Sequence, residues 1–234
     1  MEQTLNQHNI LAQHACFAAG CAAVLFSIGK SLLLTVAAQA WLGSMLATVA
    51  AYLLADLGTG IYHWAIDNYG GPQTPIFGPQ IVGFQGHHHR PMEITKMDVV
   101  YNVHITAAAV AAVATPIYWL CSDPVLLSFI GAFGGFVMFS QQFHAWSHTP
   151  KGRLPRVVAA LQDAGFILRR AEHAAHHRPP FSTNYCIVSG VWNRALDRSN
   201  FFVALEVAVA ALFGHEPRSW SEARTDWWEK SGIN

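Results

Sequence analysis

The sequence predicts an all-α membrane protein of about four transmembrane helices with a histidine-rich cytoplasmic cap, and three observations predict it. The 234 residues are 52% hydrophobic and only 12% charged, more apolar than an ordinary soluble domain. The apolar residues gather in four runs, each approaching the roughly 20 residues a helix needs to cross a bilayer. Of the 13 histidines, nine fall in short clusters between or after those runs.

The first run, ILAQHACFAAGCAAVLFSI at 10–28, resembles a signal peptide in length, but MEQTLNQHN before it has no Lys or Arg and no small-residue cleavage site follows, so a retained helix is expected. The second run is 32–54, which leaves Lys30 in the connection. The third and fourth are 103–121 and 124–143, the fourth with Gly131 and Gly135 four apart, a spacing that lets helices approach closely. FFVALEVAVAALFG at 201–214 is too short to span and reads as an interfacial helix. Trp41, Trp119, Trp227 and Trp228 read as interfacial anchors, and TDWWEKSGIN as a polar tail. No linker, repeat or low-complexity segment interrupts the chain, so one membrane domain covers 1–234.

Lys and Arg in short loops stay on the cytoplasmic side. Lys30 is the only one of the 14 outside 55–102 and 144–234, so both termini and the histidine clusters are expected there. A net charge of zero excludes the concentrated basic face of a nucleic-acid binder. The four cysteines form no CxxC pair, which leaves them as small buried side chains.

Spacing gives the clusters chemical content. His63 and Asp67 continue the second run four apart, His144 and His148 continue the fourth, and His173 stands three and four before His176 and His177, so each set shares a helix face. On a helix His87 and His88 in FQGHHHRP point about 100° apart, so either they address two different ions or they sit on a bend before Pro91. Eight histidines and Asp67 exceed the four ligands of a structural zinc site or the three of a catalytic one. Imidazole-rich coordination suits iron, copper, zinc or nickel, and open positions on non-haem iron activate oxygen. Two irons at the mouth of a membrane bundle are therefore the leading expectation. His8, His14, His104 and His215 stand alone and read as surface or hydrogen-bonded residues, and His89 is left undecided. Asp163, Glu172, Asn184 and Asn193 are candidates to orient ligands or substrate.

No GxSxG, HExxH or P-loop pattern offers hydrolysis or phosphoryl transfer. Without a dinucleotide-binding GxGxxG or a CxxCH haem motif, electrons have to come from an external donor such as a ferredoxin or a cytochrome b5-like protein. Arg153, Arg156, Arg169 and Arg170 could dock that donor or hold lipid phosphates, the second being favoured.

DLGTGIYHWAIDNYG, FQGHHHRP, QQFHAWSHT, ALQDAGFILRRAEHAAHHRPPFSTNYCIVSGVWN and PRSWSE, in that order over about 52–228, resemble the lipid desaturase family that contains animal plasmanylethanolamine desaturase and the plant plastid desaturase of phosphatidylglycerol palmitate. AIDNYG, NYCIVSG, Gly86 and Glu172 resemble the plant branch more closely. The resemblance implies a membrane enzyme that uses iron and O2 to remove two hydrogens from neighbouring carbons of a phospholipid chain, with ligands at His63, His87, His88, His144, His148, His173, His176 and His177. It also implies an acyl chain of phosphatidylglycerol as substrate, for which Arg90, Arg169, Arg170 and Arg178 are candidate headgroup partners. The short, acid-containing stretch before the first run is unlike a plant transit peptide, so a bacterial inner membrane is expected. A vinyl-ether-forming desaturase or a lipid hydroxylase would use the same ligands. A metal carrier or sensor would carry ligands along its spans, where only His14, His104 and the start of the QQFH cluster occur.

Overall fold

The computed structural model describes residues 2–221, with side chains from residue 9 onward; Trp227, Trp228 and the TDWWEKSGIN tail lie outside the described residues. Among the described residues all regular structure is helical. In chain order the α-helices are α1 (Glu2–Ala38), α2 (Trp41–Asn68), α3 (Gly78–His89), α4 (Val99–Leu120), α5 (Pro124–His148), α6 (Arg156–Ala164), α7 (Arg170–His176), α8 (Asn193–Arg198), α9 (Phe201–Phe213) and α10 (Arg218–Ser221), with single 3-10 turns at Glu93–Lys96 and Lys151–Arg153. Four of them are long and apolar enough to cross a membrane: Asn9–Ala38, Trp41–Asn68, Val99–Leu120 and Pro124–His148. With 13 residues, α9 is not one of these.

One boundary differs from expectation. Lys30 sits inside α1, not in a connection, and the α1–α2 link is only Gln39 and Ala40. The helix runs through Lys30 because the ammonium finds a partner without leaving it: Nζ donates to the Tyr118 carbonyl at 2.7 Å, in the last turn of α4, where backbone carbonyls lack helical donors. Two hydroxyls also bond to carbonyls, Ser27 locally to Ala23 and Ser31 across to Pro124 at the start of α5. Local signals set the other ends. Asp98 caps α4 by accepting from the Tyr101 N–H at 2.8 Å, Asp123 accepts from the Leu126 N–H at the start of α5, and Gly165, at φ +77°, closes α6 in the left-handed region.

The chain divides into two compact units, residues 1–56 with 97–143 and residues 57–96 with 144–234. Both boundaries fall inside continuous helices, α2 and α5, so no linker marks them. The core of the first unit is Ala23, Val24, Val103, Ala107, Val110, Ala114 and Met138. Its helices touch backbone to backbone: a Cβ on Gly20 would lie 2.7 Å from the Ala107 Cβ, and one on Gly131 2.7 Å from Ile28 Cγ1. Leu33, Leu42, Val113 and Leu120 point outward, as helix faces bathed in lipid require.

In the second unit Trp64, Tyr185, Cys186, Leu196 and Phe202 form the core. Gly60 gives α2 room for the buried Cys186 sulfur, which a Cβ there would overlap. That packing draws the 183–188 segment against the end of α2, where the first histidine cluster lies.

Candidate metal centre

All nine candidate ligands belong to the second unit and come from the C-terminal ends of four helices: His63 and Asp67 on α2, His87 and His88 on α3, His144 and His148 on α5, and His173 and His176 on α7, with His177 capping α7. Their side-chain donors converge in two groups. His87, His144, His148, His173 and His177 form one, and His63, Asp67, His88 and His176 the other, with donor atoms in each within 4.8 Å of one another. The helical spacings act as the sequence implies, since His63 joins Asp67, His144 joins His148, and the adjacent His87 and His88 separate into different groups. In α7, His173 and His177 serve one group and His176 the other. His89 is exposed and joins neither.

The distances have a chemical meaning. In the five-histidine group Nε2 of His87 lies 2.9 Å from that of His148, His148 3.3 Å from His144, and His177 3.0 Å from His173. In the other, Asp67 Oδ2 lies 3.2 Å from Nε2 of His63, 3.4 Å from that of His176 and 3.5 Å from that of His88. Two donors about 2.1 Å from one ion stand about 3.0 Å apart at a right angle and about 3.4 Å apart at the tetrahedral angle. The observed separations are those of neighbouring ligands on one ion.

Hydrogen bonds outside the groups set which ring nitrogen faces inward. His63 Nδ1 meets the Tyr185 carbonyl at 2.9 Å and His176 Nδ1 the Thr183 carbonyl at 2.7 Å. A carbonyl only accepts, so both Nδ1 atoms carry hydrogen, and in the neutral form that binds metal each Nε2 turns a lone pair toward Asp67. Both Asp67 oxygens are buried and accept no hydrogen bond. Lone pairs facing one another in a buried site are costly unless a cation lies among them, so the donor set fits a metal.

The electrostatics of the candidate ligands on α3 and α7 agree. Burial, reinforced by neighbouring imidazoles, pushes His87 down to about 2. Burial likewise takes His88 down to about 3, although the Asp67 charge opposes it. His173, His176 and His177 are lowered for the same leading reason. These rings are neutral at physiological pH, the form that binds metal.

The residues proposed to support the ligands separate. Asn193 is buried and brackets one peptide unit, its Oδ1 accepting from the Cys186 N–H at 2.9 Å and its Nδ2 donating to the Cys186 carbonyl at 3.3 Å, which steadies the segment whose carbonyls hold His63 and His176. Glu172 lies between Arg169, 4.0 Å away, and Gly190. Asp163 is exposed and holds Lys151 at 2.8 Å, away from both groups. The Asn184 amide reaches only the Thr183 hydroxyl, while its backbone N–H donates to Asp197. Arg170 donates to the His148 carbonyl and Arg169 to the carbonyls of Gln162 and Asp163; Arg90 and Arg178 are exposed. His14 and His104 hydrogen-bond within their own helices.

Other participants were not foreseen. Arg218 donates to the carbonyls of Asp67 and Gly70 beside the Gln85 amide, and Ser219 N–H donates to Asn68. Asn68, Gln85, Arg218 and Ser219, with His88, His89, Pro180 and Phe181, line a polar cleft of about 80 Å³ that reaches Asp67. Arg218 lies in the PRSWSE stretch, whose conspicuous Trp and Arg were the available signal.

A model of the lipid desaturase domain matches residues 52–220. The chain is 45% identical over 217 residues to fatty acid desaturase 4-like 1, chloroplastic, of Arabidopsis thaliana, covering 93% of this chain and 74% of that protein. It is 46% identical to the Arabidopsis fatty acid desaturase 4, chloroplastic, over 93% of this chain and 67% of the relative. Plasmanylethanolamine desaturase 1 of Mus musculus is 33% identical over 75% of this chain and 68% of its own length. No solved structure is a significant match. The expectation of a bacterial inner membrane is not borne out, because the two plant relatives are chloroplastic and the composition of the first few residues does not decide the compartment. With its domain matched over most of its length, four helices that can cross a membrane, two of which carry His63, Asp67, His144 and His148 at their ends, and the plant branch nearer in identity than the animal one, the chain belongs to the lipid desaturase family and is a membrane oxidoreductase of the desaturase type.

Proposed function

We propose that residues 1–234 act as one domain, a di-iron desaturase that introduces a double bond into an acyl chain of phosphatidylglycerol, with His87, His144, His148, His173 and His177 holding one iron and His63, Asp67, His88 and His176 the other. The observation that carries this reading is the division of nine buried or half-buried donors into two groups at ligand-to-ligand spacing. Iron when bound supplies the oxidising power toward an unactivated C–H bond that no side chain has.

The overall change is R–CH2–CH2–R′ + O2 + 2 e⁻ + 2 H⁺ → R–CH=CH–R′ + 2 H2O. The residues of this chain hold the donor geometry, keep imidazoles neutral by burial, and exclude water from the five-histidine group, where His144 and His173 are 2% exposed or less. The polar cleft along Asn68, Gln85 and Ser219 opens the other group to water and protons. Electrons come from a ferredoxin or cytochrome b5-like protein. By the positive-inside rule both termini and the histidine groups face the side on which Lys and Arg are retained. The headgroup rests on the motif resemblance, and the choice of an acyl chain is supported by identities of 45% and 46% to fatty acid desaturases against 33% to a plasmanylethanolamine desaturase.

Expression in a host rich in phosphatidylglycerol, with a competent donor, tests this. Lipid mass spectrometry is expected to find an acyl chain two hydrogens lighter in that class, dependent on O2 and abolished by His148→Ala. A new double bond only as a vinyl ether in an ether-lipid host overturns the substrate, and no new unsaturation in either host overturns the activity.

A further inference from the structure

Glu206 is 3% exposed, yet both of its carboxyl oxygens are engaged by tryptophans from opposite ends of the second unit's sequence. Trp64 Nε1 donates to Oε1 at 3.3 Å and Trp220 Nε1 to Oε2 at 2.9 Å, with the Ser219 hydroxyl also on Oε1 at 3.1 Å. Trp64 is buried and follows His63 directly on α2, whereas Trp220 is 48% exposed. The inner end of this path is aromatic too. Asn68 Nδ2 bonds both the Trp64 carbonyl and the Tyr185 hydroxyl, and the Tyr185 ring lies 5.2 Å from that of His176 and 5.7 Å from that of His63.

A neutral acceptor would satisfy either indole N–H at lower desolvation cost than a buried carboxyl group. What the carboxyl adds is a base shared by two oxidisable rings. We propose that Trp64, Glu206 and Trp220 form a relay that carries oxidising equivalents from the metal centre to the surface when no lipid chain is present to consume them. The relay rests on the metal and dioxygen reading above.

The chemistry balances at each step. Trp64 gives one electron to the dioxygen-derived oxidant, and its indole N–H proton passes along the existing hydrogen bond to Glu206. Trp220 then gives one electron to the Trp64 radical. The proton returns from Oε1 to Trp64 while the Trp220 proton moves to Oε2. An external one-electron donor reduces the exposed Trp220 radical, and Glu206 returns that proton. The oxidant has gained one electron from the donor, and all three side chains are restored.

The test uses metal-loaded protein with O2 and reductant but no lipid, and tandem mass spectrometry to locate hydroxylated and kynurenine-type tryptophan. Oxidation is expected mainly at Trp220. In Trp220→Phe it moves inward, with several-fold more at Trp64 or Tyr185 and fewer turnovers before inactivation; Glu206→Gln, which keeps an acceptor but loses the base, does the same with Trp220 present. Freeze-quenched wild-type protein, which depends on no variant folding, is expected to give a tryptophan radical by paramagnetic resonance. Equal Trp64 oxidation with and without Trp220, equal Trp220 oxidation in metal-free protein, or no radical overturns the relay. Each preparation is also assayed with lipid. Failure in preparations that still desaturate overturns the relay alone, and metal-loaded preparations that never desaturate overturn the reading beneath it as well.

Discussion

The Asp67 carboxylate stands 3.4 Å from Nε2 of His176, a nitrogen left with a lone pair because the other ring nitrogen donates to the Thr183 carbonyl. Two acceptors so placed in a buried site call for a cation, and neutral His63, its Nδ1 fixed by the Tyr185 carbonyl, adds a third.

Metal content is therefore expected at two ions per chain by elemental mass spectrometry. His87→Ala or His177→Ala should lower it toward one by emptying the five-histidine group, and His88→Ala or His176→Ala should do so by emptying the other. Protein that holds a single zinc, or that loses the same ion in both sets of variants, contradicts the division.

Acid should destabilise the metal-stripped protein. His87 and His88 are depressed to about 2 and about 3 from an ordinary 6.5, and His173, His176 and His177 are also lowered, chiefly by burial. As pH falls through 6.5 the unfolded chain takes up protons that these buried rings refuse, so stability falls from about one pH unit above 6.5 down toward 3 and is flat for these groups at higher pH. Thermal unfolding at pH 9.0, 8.0 and 5.5 checks this: the midpoint should hold between the first two and fall at the third.

Asn193→Ala removes both polar partners of the Cys186 peptide. Leaving that buried N–H and carbonyl unsatisfied costs about 1–3 kcal/mol. Because the segment also orients His63 and His176, metal affinity should fall roughly 10- to 100-fold, read by competition with a chelator. An unchanged affinity with lowered stability would confine Asn193 to packing.

Gly20→Val tests the first unit separately. Its side chain would collide with Ala107 of α4, and overpacking of this kind costs about 1–3 kcal/mol. The unfolding midpoint should drop while metal per folded chain stays unchanged.

The membrane helices were legible because apolar runs announce themselves, and their one error was equally physical: a single lysine reads as a break, yet Lys30 stays in α1 by bonding Tyr118. The grouping of the candidate ligands was legible in part because spacings of three and four on a helix and of one across the His87–His88 pair translate into shared or divided faces. The carbonyls of Thr183 and Tyr185 were not, since every residue has one and only tertiary packing decides which a histidine meets. Glu206 was hidden for a related reason, as one acid in an apolar helix whose two tryptophan partners are 142 and 14 residues away.

All nine donors sit at the carboxyl ends of α2, α3, α5 and α7. Aligned peptide dipoles leave each such end with roughly half a negative charge, a bias of about 0.3–1 kcal/mol toward a nearby cation and up to about 2 kcal/mol where partly buried. On the proposed di-iron reading, four such ends around the two donor groups favour the more highly charged of two iron oxidation states and so lower the reduction potential. On that same reading a low potential demands a strongly reducing donor, and the resting protein, stored in air, waits in its oxidised form.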